Sequence, residues 1–320
     1  MVLSLALILG VVALVQWRAT TRETAAEAAY PPSGQVVDVD GTSIHVRIEG
    51  SGPDVVLIHG ASGSLRDFTF DLVGRLSDRY RVISFDRPGL GWSERPAPEH
   101  GGAWNNYAEP PSLQAKLMQA AADQVGVSKP VVVGHSYGGA VALAWALERP
   151  DETAALVLLG AASNPWPGDL GLFYQVNASK PGGALAIPLI TAFAPRAAVE
   201  TAVKAIFQPQ PIPDGYLDHF GPEMTLRRST QRANAQQVNS LRPYVVDMSQ
   251  RYSGLNLPVE ILHGTDDTIV PLHIHSEPLA ALLPDANLIR LEGVGHMPHH
   301  AAPGEVTDAI DRAAVKAGLR

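Results

Sequence analysis

The chain has 320 residues, 46% of them hydrophobic and 18% charged, so a sizeable core can form and global disorder is excluded. That length suits one large α/β domain with an insertion, or two domains. A formal net charge of −8 with no Lys/Arg run argues against a nucleic-acid partner, and the lack of cysteine excludes a disulfide framework, a thiolate metal site and a cysteine nucleophile.

Residues Val2 to Val15 are almost entirely apolar, and Gln16, Trp17 and Arg18 close the run. The run is a little short of the roughly 17–25 residues of a spanning helix, and it lacks the basic start of a secretory signal. Three readings stand: a membrane anchor, a signal peptide with a poor start, or a core helix. A core helix would show a polar face, which this segment lacks. An anchor is therefore expected, with membrane contact through residues 2–17 and with Trp17 and Arg18 at the interface. A cytoplasmic or exported soluble protein is the alternative. The side of the membrane stays open, with Arg18 and Arg22 favouring a cytoplasmic globular part. Thr20 to Ser33 is polar and Ala-rich and ends after Pro31-Pro32, so residues 1–33 read as anchor plus linker.

From Gly34 the pattern changes. Val36–Val39 and Ile44–Ile48 alternate apolar and polar residues around Asp40-Gly41, which predicts a β-hairpin. A continuous apolar strand, Val55–Ile58, runs into His59-Gly60-Ala61-Ser62-Gly63, and a helix is predicted from about Leu65 to Ser77. The strand Arg81–Phe85 ends in Asp86-Arg87-Pro88-Gly89-Leu90-Gly91-Trp92-Ser93. A Pro/Gly-rich loop then leads to a helix near Ser112–Val125. Val131–Val133, Ala155–Leu159, Val259–Leu262 and Leu288–Leu291 are further buried strands, with helices at Ala140–Glu148, Ser276–Leu283 and Glu305–Ala317. Short buried strands alternating with amphipathic helices predict an α/β fold with a mostly parallel, doubly wound sheet. The rhythm breaks from Asn164 to about Gly254, which is proline-rich and shows helical pieces at Leu185–Phe193 and Ala197–Phe207 but no strand. Residues 164–254 are therefore expected to be a helical cap insertion into a core made of 34–163 and 255–320.

The chemistry centres on Val131-Val132-Val133-Gly134-His135-Ser136-Tyr137-Gly138-Gly139. Strand, very tight turn and helix place a serine hydroxyl above the strand end, with glycines where no Cβ fits. Alone, Gly-x-Ser-x-Gly is as often a flexible loop, so the rest of the chain must supply a base and an acid. Both lie just after later strands, where doubly wound sheets carry their sites. Asp266 and Asp267 follow Val259–Leu262, and His296 follows Leu288–Leu291 inside Gly295-His296-Met297-Pro298. A lone strand-end Asp is usually a turn former or helix cap, and a lone His a core residue; three such groups in order outweigh that reading. The backbone N–H groups of Tyr137 and Ala61 are the expected oxyanion donors, with His59 buttressing the loop. His299 and His300 are expected to be surface or cap-facing groups.

These motifs resemble the α/β-hydrolase superfamily, in its cap-bearing branch of esterases, haloperoxidase-like enzymes and C–C hydrolases. They run from about residue 34 to the end of the chain. The resemblance implies a Ser136–His296–Asp267 triad. Asp267 is preferred over Asp266 because it stands four residues before Pro271, the usual family spacing. It also implies that Asp86–Ser93 is a structural loop, with its charges near the active-site rim. A serine at the elbow separates the chain from the dehalogenase and epoxide-hydrolase branches, which use Asp there. The expected activity is hydrolysis of an ester or related acyl bond of a small to medium hydrophobic substrate, without metal or organic cofactor. C–C bond hydrolysis and cofactor-free perhydrolase or haloperoxidase chemistry on the same triad are the alternatives.

Overall fold

β-branched runs punctuated by Gly, Pro and Asp set the strands. The computed structural model, which describes residues 2–96 and 101–320, places eight of them in one sheet. They are β1 (Gln35–Val39), β2 (Thr42–Glu49), β3 (Asp54–Ile58), β4 (Arg81–Phe85), β5 (Val131–His135), β6 (Ala155–Leu159), β7 (Val259–Gly264) and β8 (Ala286–Leu291). The order is β1-β2-β4-β3-β5-β6-β7-β8. β2 is antiparallel to β1 and β4, and every other neighbour is parallel. The sheet is thus mostly parallel, as the run of buried strands predicts. Residues 97–100 of the expected Pro/Gly-rich loop lie outside the described residues.

A helix, α1 (Val2–Ala29), precedes the sheet. It corrects the expectation of a linker after residue 19. Thr20–Ala29 holds four Ala and two Glu, good helix formers, and its acids find partners across the fold. Glu23 pairs with Arg228 at 2.6 Å and Glu27 with Arg227 at 3.1 Å. Tyr30 then accepts a hydrogen bond from Trp92 Nε1 at 3.0 Å, so this segment is docked rather than loose.

The helix expected over Leu65–Ser77 is two short ones, α2 (Arg66–Thr69) and α3 (Leu72–Leu76). They break at Asp71, whose φ of −146° is not helical and whose carboxylate is held by Arg75 at 2.6 Å. Phe68, Leu72, Val73 and Leu76 are still buried together. α4 (Pro111–Gln124) and α5 (Tyr137–Glu148) follow; α5 is apolar all round because the core surrounds it. Between β6 and β7 come α6 (Leu172–Ala178), a π-helical turn (Gly182–Ala186) continuing into α7 (Ile187–Phe193), then α8 (Arg196–Phe207), α9 (Tyr216–Phe220) and α10 (Arg228–Ser249). No strand occurs in that stretch among the described residues. α11 (Ser276–Leu282), α12 (Pro298–Ala301) and α13 (Pro303–Lys316) complete the chain.

The period-two alternation of strand side chains divides the core. Val56, Ile58, Ile83, Val132, Leu156 and Ile261 face α4, α5 and α10, whereas Val55, Leu57, Val82, Val133, Val157 and Leu262 face α3 and α13. α13 meets the second face with Val306, Ala309, Ile310, Ala313 and Ala314, an apolar stripe at helical spacing. With both faces covered, the open ground is at the carboxyl ends of the parallel strands. There the loops after β3, β5, β7 and β8 converge.

Candidate active site

Ser136 sits between β5 and α5 with φ 54° and ψ −119°, a conformation that costs a non-glycine residue about 1–3 kcal/mol. The surroundings over-determine it. Ser136 N–H donates to the Leu159 carbonyl at 2.9 Å, and its own carbonyl accepts from Gly139 and Ala162. A Cβ on Gly138 would run into the carbonyls of Ile58 and His59, so only glycine lets α5 start against β3.

The structure brings the three candidate side chains together. His296 Nε2 lies 2.9 Å from Ser136 Oγ, and His296 Nδ1 lies 2.7 Å from Asp267 Oδ2. Asp267 Oδ1 accepts the N–H groups of Ile269 and Val270, each at 2.9 Å. His263 Nε2 stands 3.2 Å from Oδ2. Burial alone would raise the Asp267 carboxyl; hydrogen bonds from His263 and His296 outweigh it and hold the group well below the usual carboxylate range. An ionised Asp267 can only accept. His296 therefore carries its proton on Nδ1 and turns a bare Nε2 to the Ser136 hydroxyl. Asp266 is exposed and lies outside this chain of hydrogen bonds.

The loop after β3 approaches so closely that a Cβ on Gly60 would lie 3.1 Å from both His135 Nδ1 and Ser136 Cβ. The Gly60 carbonyl accepts from His59 Nδ1 at 2.9 Å and Arg87 Nη2 at 3.2 Å. A trans peptide holds its carbonyl and the next N–H on opposite sides, so pinning this oxygen aims the Ala61 N–H the other way. Gly60, Ala61 and Ser136 all line one cavity. His59 Nε2 accepts the Arg87 N–H at 3.0 Å, and burial together with the Arg87 charge pushes its imidazole down to about 4, so it is a neutral buttress. The Tyr137 side chain packs under the Arg87 guanidinium, 4.2 Å from it, leaving its backbone N–H in the first turn of α5 beside Ser136.

Asp86 and Arg87 do not lie at the rim, as the family resemblance implied, but are fully buried. Asp86 accepts from His45, Leu65 N–H and Trp92 N–H, and Arg87 binds Gln114 and Gln237. A strand-end Asp-Arg pair reads as exposed turn chemistry, whereas its partners come from four distant segments. His299 is likewise buried against Phe68 and His135 rather than on the surface. His300 faces Phe207 of α8 and Tyr216 of α9.

Two groups were not visible in the sequence. Asp67 accepts from His299 at 3.1 Å, His300 at 2.8 Å and Tyr216 OH at 2.8 Å. Burial would raise its carboxyl, but attraction and hydrogen bonds from His299 and His300 hold it well below the usual range. Asp67, His299 and His300 bring ligand-type atoms within 4.8 Å of one another; the Asp67 oxygens are paired with the two Nε2 atoms, while His299 Nδ1 is buried without a hydrogen-bond partner. Asn234 of α10 is the second. Its Oδ1 accepts the Ser62 N–H at 2.7 Å and its amide donates to Ser62 Oγ at 2.9 Å, tying the insertion to the Ala61 loop. The cue is a run of buried amides on one helix, Gln231 to Gln237. Asn234→Ala is expected to lower kcat/KM about tenfold by loosening that loop, against roughly 1 kcal/mol in stability. Steady-state kinetics and a thermal melt on the same sample check this, and unchanged kinetics would refute it.

The cavity has a volume of about 610 Å³ and holds Ser136 and His296 in its wall. Its lining is mostly apolar, from Phe173 and Ile190 to Val203, Phe207 and Phe220. Among the described lining residues there is no Lys or Arg. A smaller cavity of about 320 Å³ between α1 and the insertion contains neither Ser136 nor His296.

Comparison with known proteins places the fold. The model of the alpha/beta hydrolase fold family matches residues 53–303. An uncharacterised protein of Mycobacterium tuberculosis is 28% identical over 88% of this chain and 81% of its own length. The 2-hydroxy-6-oxo-6-phenylhexa-2,4-dienoate hydrolase of Burkholderia cepacia is 28% identical over 84% of this chain and 88% of its own. A solved esterase from Rhodococcus sp. shares the fold with a TM-score of 0.67 and 24% identity, over 88% of this chain and 98% of that one. With the family model spanning most of the sheet and every loop at its carboxyl end, the chain belongs to the alpha/beta hydrolase fold family and is a hydrolase.

Proposed function

We propose that the chain hydrolyses neutral carboxylic esters with a hydrophobic acyl group. Ser136 Oγ attacks the carbonyl carbon as His296 Nε2 takes its proton. The N–H groups of Ala61 and Tyr137 hold the oxyanion, and Asp267 stabilises the imidazolium. His296 returns the proton to the leaving alcohol, leaving an acyl-enzyme on Ser136. A water deprotonated by His296 then attacks the acyl carbon and releases the acid, restoring the serine.

The observation that carries the reading is the hydrogen-bonded Ser136–His296–Asp267 chain opening into a cavity without a cationic side chain. The Burkholderia cepacia relative is named for a dienoate, an anion. An anionic substrate would meet the Asp67 carboxylate here and no lysine or arginine, which favours the ester over C–C cleavage of such a compound. The volume is within the ~300–1,000 Å³ of small-molecule sites. The expected result is a kcat/KM for p-nitrophenyl butyrate to octanoate at least about tenfold above that for a half-ester carrying a free carboxylate. Preference for the anionic ester, or turnover of a vinylogous diketone acid in place of the neutral esters, would sink the reading. We further propose that α1, long and apolar enough to cross a bilayer, anchors the enzyme through Val2–Val15.

A further inference from the structure

The large apolar side chains exposed outside α1 are unevenly spread. Val36, Val246, Ile269, Leu282 and Val315 are scattered singly, which is ordinary for a soluble surface, whereas the exposed Trp104 follows Ala103, whose carbonyl meets Gly183 of the π-helical turn. Leu172, Phe173, Val176, Leu185, Leu189 and Phe193 instead fall within one short stretch and are 45–76% exposed. They lie on α6 and on the π-helical turn and α7, which pack against one another. Such a concentration marks an interaction surface.

This face is continuous with α1. Val15 and Ala19 of α1 pack on Ala192 of α7, and Arg18 Nε donates to the Ala192 carbonyl at 2.8 Å. The Arg18 guanidinium lies 5.3 Å from the Phe193 ring, beside the exposed Trp17. Val2 to Leu14 are exposed along the helix beyond this point. An aromatic and basic collar therefore stands where the apolar helix meets the apolar face, the composition of a membrane–water boundary.

The same elements wall the cavity. Phe173 is 58% exposed and lines it. On α7, Leu189 and Phe193 face outward while Ile190 and, just after the helix, Ala194 face the cavity. One helix thus separates the exposed face from the space above Ser136.

We propose that the face formed by α6, the π-helical turn and α7 rests on a lipid bilayer, and that the cavity takes the acyl ester of a bilayer lipid as its substrate. The substrate class rests on the ester-hydrolase reading; the docking rests on the surface alone. A helix lying with its apolar side in the headgroup boundary gains affinity in proportion to the area it buries. Docking this face would set Phe173, which is exposed and also lines the cavity, against the lipid, so that a fatty ester enters beside it toward Ser136.

The chain has no cysteine, so single cysteines can be labelled cleanly in the full-length protein. Leu185→Cys and Leu189→Cys, with Leu9→Cys on α1 and Val315→Cys on α13 as references, would carry an environment-sensitive fluorophore. The proteins would be reconstituted in dioleoyl phosphatidylglycerol vesicles containing a nitroxide-labelled lipid. The expected result is quenching at positions 9, 185 and 189 and none at 315. Quenching at 9 alone, or at none of them, overturns the docking. So does shielding of 185 and 189 before lipid is added, which would mean that a second copy covers the face. For substrate delivery, Leu185→Asp combined with Leu189→Asp is expected to leave p-nitrophenyl butyrate turnover in detergent within about twofold. Hydrolysis of the vesicle lipid should fall about tenfold, equivalent to about 1.4 kcal/mol. Equal vesicle turnover by the variant and the parent overturns the delivery. If the parent fails on butyrate altogether, the ester reading fails, and the quenching still decides the docking.

Discussion

Ser136→Ala is expected to reduce p-nitrophenyl butyrate turnover by about 10⁴–10⁶-fold and to abolish labelling by a fluorophosphonate. In the proposed mechanism the three side chains work as one unit. Without the hydroxyl, His296 has nothing to activate but water, and the N–H groups of Ala61 and Tyr137 can stabilise only that slower attack. Folding should be nearly unaffected. The Ser136 hydroxyl is bonded to His296, while the strained backbone is held by Leu159, Gly139 and Ala162 through main-chain groups that alanine keeps. A thermal melt therefore separates loss of chemistry from loss of structure. A well-folded variant that retained more than about one hundredth of the parent activity would remove Ser136 from the mechanism.

The second large effect is acid lability. Burial, with the Arg87 charge, pushes His59 from 6.5 down to about 4. Burial, with the His263 charge, pushes His275 from 6.5 down to about 4. Burial lowers His135 and His299 as well. Each of these imidazoles binds a proton more readily in the unfolded chain than in the folded one. Their contribution to stability is therefore complete above the ordinary histidine value and is lost as pH falls toward the folded values. For His59 and His275 the window is 6.5 to about 4, and together they forfeit on the order of 4 kcal/mol by about pH 5. Against a net stability of about 5–15 kcal/mol that is a large share. Asp67 and Asp267, held well below the usual carboxylate range, add losses of the same sign at lower pH. The melting temperature should fall by about 10 °C between about pH 7.5 and 5, and equal melting temperatures at the two values would refute this account.

The parts of the site legible in the sequence are those where chemistry ties residues to strand ends. Gly134–Gly139, Asp267 and His296 each follow a short apolar run, and the sheet alone suffices to bring them together. The single choice between adjacent acids went to Asp267 on family spacing, and that carboxylate is the one that meets His296. What remained hidden depends on partners far away in the chain. Asp67 reads as an early helix residue until His299, His300 and Tyr216 fold onto it. Asn234 is one amide among several until Ser62 turns toward it. Thr20–Ala29 reads as a linker because the arginines that make it a docked helix lie some two hundred residues later.

Those arginines stand at the start of α10, within two turns of Asn234. α10 is thus a beam with the N-terminal helix bolted to one end and the Ala61–Ser62 loop resting a little further along. A protein trimmed of residues 1–29 keeps Ser136, Asp267 and His296 yet removes Glu23 and Glu27 from the bolted end. Arg227, 8% exposed, and Arg228 would then stand at the base of the beam without their acids. Trimming for solubility therefore reaches the Ala61–Ser62 loop through six residues of helix, and a soluble derivative should keep the chain from residue 16 onward.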